Sequence, residues 1–250
     1  MSGGDAVDTY TGIENVIGGS GNDLLDGGDD SDRLNGEAGN DTLCGGEADD
    51  VLNGGADDDS LYGDNGADQL QGENGSDWIE GGAGGDTVTA GNGRDTVHGN
   101  AGNDSLSGDA DDDSIFGDED NDTLRGAGGL DILEGGIGND LAYGDSGDDT
   151  VKGGFGDDKI YGGEGNDSLE GGNGNDSLMG SFGLDSLLGG MGNDRLEGGA
   201  DDDTLRGNEN DDSLFGGLGA DIIDAGAGND YGQGDEGRIG RRPPRRPRRR

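Results

Sequence analysis

The chain of 250 residues has little of what an ordinary globular core is made from: 26% of its residues are apolar and 4% aromatic. Cys44 is the only cysteine, so no disulfide can form within the chain. His98 is the only histidine, which excludes a paired-histidine zinc motif. Proline is absent until Pro243, Pro244 and Pro247. No apolar run is long enough to span a membrane. The opening MSGGDAVDTY has neither the basic nor the apolar region of a cleavable signal peptide. Low hydrophobicity of this degree normally leaves a chain disordered, because too little apolar surface is buried to offset chain entropy. A fold therefore needs another source of free energy, and a bound divalent cation supplies one.

What the chain has in excess is glycine, 62 residues, and acid: 58 Asp and Glu against 15 Lys and Arg, a net charge of −43. The charge is unevenly placed. Residues 234–250 hold eight Arg and two acids, +6, which leaves 7 − 56 = −49 on residues 1–233. Such a body is expected to repel nucleic acid and anionic membranes and to attract cations.

A period of nine runs from Gly18 to Gln233, giving 24 units without insertion or deletion. Sample units are GGSGNDLLD (18–26), GGFGDDKIY (153–161), GGEGNDSLE (162–170) and GGNGNDSLM (171–179). Position six is Asp in all 24 units, and position one is Gly in all but two, where Ala90 and Ala225 stand. Position eight is Leu, Ile or Val except at Ala142 and Gly232. Position four is Gly in 17 units, replaced elsewhere by Asp30, Asp57, Asp111, Asp120, Asp201, Asn210 and Ala48. Asp and Asn tolerate positive φ best after Gly, so this substitution pattern points to a left-handed turn. The first six residues of each unit read as a turn and the last three as a short strand. Position eight then points inward, and positions seven and nine outward. Glycine this dense excludes helix, at a cost of about 1 kcal/mol per site.

These units, GGxGxDxUx with U a large aliphatic residue, resemble the RTX (repeats-in-toxin), or haemolysin-type, calcium-binding nonapeptide repeat; this nonapeptide is itself a standard calcium-binding repeat signature. The resemblance covers 216 of 250 residues. Residues 9–17, TYTGIENVI, look like the capping strand that precedes such arrays. The resemblance implies an all-β fold, a right-handed parallel β-roll with two units per coil and about 12 coils. Units n and n+2 then stack on one side of the roll.

Carried onto this sequence, the metal ligands are one Asp per unit in two columns. The first column holds Asp23, Asp41, Asp59, Asp77, Asp95, Asp113, Asp131, Asp149, Asp167, Asp185, Asp203 and Asp221. The second holds Asp32, Asp50, Asp68, Asp86, Asp104, Asp122, Asp140, Asp158, Asp176, Asp194, Asp212 and Asp230. Stacked strands lie about 4.8 Å apart. Calcium–oxygen distances are about 2.3–2.6 Å, so one ion spans two oxygens on successive rungs. Glycine turns bring carbonyls close enough to complete the shell, and Mg²⁺ suits the spacing less well. Twelve rungs per column leave 11 gaps, hence at most about 22 Ca²⁺. Full loading brings +44 against −49. Position five departs from Asn or Asp at Leu130, Leu184 and Arg94, which marks weaker rungs.

Other motifs carry no chemistry. Gly144-Asp145-Ser146-Gly147 has the letters of a serine-protease segment but is the start of a repeat unit. Asp118–Asp122 lacks the glycine and terminal glutamate of an EF-hand loop. Tyr143 and Tyr161 stand one coil apart at position nine, placed to stack. The expected organisation is a lead-in and capping strand over 1–17, a calcium-binding roll over 18–233, and a disordered basic Arg/Pro tail over 234–250. The tail RRPPRRPRRR reads as a disordered extension, an arm for an anionic partner, or a segment folding back onto the acidic body. It is not the usual type I secretion signal of the family. The resemblance implies a secreted, non-enzymatic protein whose roll folds on meeting extracellular calcium. A calcium-stiffened spacer of an adhesin or surface layer, or the accessory domain of an enzyme, are the other readings.

Overall fold

A computed structural model describes residues 9–11 and 14–234. Among them there are twenty-six strands and no helix. The first four are β1 (Thr9–Thr11), β2 (Asn15–Ser20), β3 (Leu24–Gly28) and β4 (Arg33–Ala38), and the last is β26 (Tyr231–Gln233). Odd-numbered strands form one sheet of thirteen and even-numbered strands another. All pairings are parallel, and within the repeats each residue pairs with the one 18 positions later, as Leu25 with Leu43 and Leu34 with Leu52. The fold is thus a parallel β-solenoid of two nonapeptides per coil, as the repeat implies.

Alternation dictates the interior. Position eight is buried from Val16 to Ile223, one aliphatic side chain stacked on the next along both sheets. Ala142 continues the column with a smaller side chain. Positions seven and nine face out, and Tyr143 stacks on Tyr161 with centroids 5.0 Å apart.

The strand is longer than the three residues read from the sequence. It takes positions seven to nine and continues through positions one to three of the next unit, as in Thr42–Glu47, leaving only positions four to six as the turn. Glycine at positions one and two masked this extension. Position one keeps the inward alternation, and its glycine answers to space rather than to φ. A Cβ on Gly162 would lie 2.9 Å from the Gly180 carbonyl oxygen on the next coil.

The left-handed turn at position four is present. Ala48, Asp57, Asp111, Asp120, Asp201 and Asn210 have φ between 73° and 79°. Asp30 is the one non-glycine substitute outside that group. Glycines there go further, as Gly147 at 136° and Gly66 at 156°, where a side chain would be strained. Position two also has positive φ throughout, including Glu37, Asp64 and Asn100.

The lead-in joins the same lattice. Val16 pairs with Leu34, and Glu14 accepts a backbone bond from Arg33 as Asp23 does from Thr42. Residues 235–250, most of the basic tail, lie outside the described residues, as do residues 1–8.

Candidate metal centre

Position six follows the turn and precedes the inward position eight by two residues. Alternation therefore turns its side chain inward as well. The Asp side chains from Asp23 to Asp221 are buried, at 1–3% exposure, and Asp230 on the last coil is partly buried. Each successive pair along a column is linked. The Asp149 N–H donates to Asp167 Oδ1 at 2.9 Å, and the Asp167 N–H donates to Asp185 Oδ1 at 2.9 Å. The link recurs along both columns, from Asp41 accepting at 2.7 Å to Asp230 accepting at 3.1 Å.

The other carboxylate oxygen is different. From Asp32 to Asp221, Oδ2 is buried without a hydrogen-bond partner in all 22 residues. A buried carboxylate oxygen left so costs several kcal/mol, and one such group in a native structure demands a reason. Here the omission repeats on every rung. Oδ2 lies against the position-one glycine of its own unit and beside the position-one carbonyl of the next coil. At Gly36, a Cβ would stand 2.2 Å from Asp41 Oδ2 and 2.6 Å from Gly54 O. A side chain at position one would displace the carboxylate, which accounts for glycine there better than any turn does.

Burial pushes these carboxyls up. Desolvation dominates at Asp167, opposed by the N–H of Asp149 and reinforced by the charges of Asp185 and Asp149, and the result is about 7. Asp59, Asp113, Asp122, Asp176 and Asp203 also reach about 7 for the same leading reason. Asp95 and Asp149 reach about 6. A column of desolvated carboxylates is held as anions only at a cost that a cation between rungs would remove.

The donor set fits a hard cation. Carboxylate Oδ2 and glycine carbonyls are oxygen donors of the kind Ca²⁺ takes, and neither His98 nor Cys44 stands at position six. Among the described residues no three His, Cys, Asp or Glu side chains converge. A cation in the columns would therefore complete its shell with backbone carbonyls.

A second ladder, not foreseen from the sequence, runs along position five outside the Asp columns. The Asn139 N–H donates to Asn121 Oδ1 at 2.8 Å, Asp157 to Asn139 at 2.7 Å, and Asn175 to Asp157 at 2.7 Å. Leu130 and Leu184 still donate to Asp112 and Asn166 below, but offer no acceptor above. The run of Asn and Asp at this position was the available signal.

A family model described as RTX calcium-binding nonapeptide repeat (4 copies) matches residues 8–43, 45–79, 71–106, 107–142, 134–169, 143–178, 170–205 and 206–238. A comparison with curated proteins found no match.

Proposed function

Because the chain belongs to the RTX calcium-binding nonapeptide repeat family, we propose that its two Asp columns hold Ca²⁺ between successive coils and that metal entry drives the chain into its solenoid. The observation that carries this reading is the row of 22 buried Oδ2 atoms without hydrogen-bond partners. The ligands are the position-six Asp residues from Asp23 to Asp230, with carbonyls of the glycine turns. When bound, calcium supplies charge neutralisation and oxygen coordination. This chain's residues supply the spacing, through the Asp N–H links that fix each rung over the last. Between 11 gaps on each of two columns, the capacity is at most about 22 ions, one ion per pair of stacked rungs.

The body of −49 opposes folding without metal, and +44 from full loading nearly cancels it. Low calcium thus favours the unfolded chain and millimolar extracellular calcium the folded one, consistent with a secreted, non-catalytic module. The functional roll spans 18–233, with 1–17 as its cap and 234–250 as an appended basic segment. Equilibrium dialysis of the chain and of Asp167→Ala in calcium tests the ligand assignment. The variant should bind fewer ions, losing those toward both Asp149 and Asp185. An unchanged stoichiometry and midpoint would refute the assignment.

A further inference from the structure

The outer face of the odd-strand sheet carries a trough of about 930 Å³ that crosses the strands. Its floor is Gly136, Gly154 and Gly172, which pair in register and present no side chain. One wall is the position-nine row Phe116, Glu134, Lys152 and Glu170. The other is the position-three row Glu119, Ile137, Phe155 and Asn173. Ile137 is 58% and Phe155 59% exposed. One end is closed by His98, whose Nδ1 lies 3.0 Å from Asp118 Oδ2.

Two features make this face more than a stretch of sheet. Among the described residues Glu119, Glu134 and Glu170 make no hydrogen bond or ion pair, so three carboxylates beside exposed apolar side chains are without partners. These side chains also point away from the Asp columns, so cations filling the interior leave them charged. An apolar wall facing unpaired carboxylates suits a guanidinium, which packs its plane on a ring while its N–H groups reach anions. The molecule already contains such a pair, Arg195 over Phe215 at 4.4 Å.

We propose that this trough docks the chain's own residues 241–250, RRPPRRPRRR. The segment carries seven Arg and three Pro. Proline restricts it toward extended geometry of about 3.1 Å per residue, about 31 Å for ten residues, ample for a trough four rungs long at about 4.8 Å each. It also reaches. Three strand steps, about 14 Å, separate the Gly172 strand from the last strand of that sheet, and residues 235–240 extend to about 20 Å. The glycine floor admits the backbone, Phe155 and Phe116 take guanidinium planes, and Glu119, Glu134 and Glu170 take the charge. Lys152 alone opposes it. An interior filled with calcium strengthens the contrast, because the trough then stands as the negative patch of a nearly neutral body.

Photocrosslinking of the full-length chain in saturating calcium tests this. A benzoylphenylalanine at Phe155 should crosslink within the molecule to residues 241–250, while one at Tyr143, on the opposite sheet, should not. Glu134→Gln combined with Glu170→Gln should lower the yield at least fivefold, 1 M salt should lower it likewise, and Lys152→Gln should raise it. Yields from Phe155 no greater than from Tyr143 would overturn the proposal. So would crosslinks formed only between two molecules, which would make the trough a contact between copies.

Discussion

Asp167 has one oxygen tied to the rung before it and the other buried with no partner, so its replacement acts on both sides of its rung. Asp167→Ala leaves the Asp149 N–H without its acceptor, about 1–3 kcal/mol before any loss of metal. Ser168, exposed on the strand, should change stability by less than about 0.5 kcal/mol when made Ala. Calcium-saturated thermal unfolding of the two variants checks the difference. Gly162→Ala adds one methyl 2.2 Å from Asp167 Oδ2, and should cost about 1–3 kcal/mol in the calcium state with a lower ion count by calorimetry. The carboxylates were legible because Asp is invariant at one position of 24 units. The reason for glycine at position one was not. A sequence cannot distinguish a glycine needed for φ from one needed for room, and here Gly162 is the second kind while Gly165, at φ 133°, is the first.

The strand and its outer ladder are where sequence reading fell short. Glycine is depleted in strands, so Gly-Gly after position nine read as turn although Thr42–Glu47 is one continuous strand. Parallel pairing every 18 residues supplies what propensity does not, since each glycine is held between two neighbouring coils. The position-five ladder adds a contribution independent of the Asp columns. Asn139→Leu, which copies what Leu130 and Leu184 already do, removes the acceptor for the Asp157 N–H and should cost about 0.5–1.5 kcal/mol without changing calcium stoichiometry. Urea unfolding in saturating calcium, with ion counting beside it, would detect a ladder that also holds metal as a drop in the count. Leu169→Ala empties one rung of the aliphatic column and should cost about 2–4 kcal/mol by the same unfolding measurement, again with the ion count preserved.

For the whole molecule, architecture was legible from periodicity: one Asp and one aliphatic residue per nine, repeated without slip, leave a two-unit coil as the arrangement that stacks both. Its balance of forces was legible from charge. The pH dependence follows from the raised carboxyls. A carboxyl near 7 when folded and near 4 when unfolded binds its proton more tightly in the fold, so without metal the solenoid gains stability as pH falls from about 7 to about 4 and loses it as pH rises through the same window. Protons and cations compete for the same oxygens, so the calcium midpoint should move to higher concentration as pH falls below about 7, readable by titration at pH 5.5 and 7.5. A midpoint unchanged between the two would separate metal entry from the Asp columns. The most direct measurement is far-ultraviolet circular dichroism of the full chain in EDTA and then across a calcium titration. A coil spectrum in EDTA, converting to β over millimolar calcium and far less with the same magnesium, is the predicted result; a β spectrum of equal strength in EDTA would contradict the account.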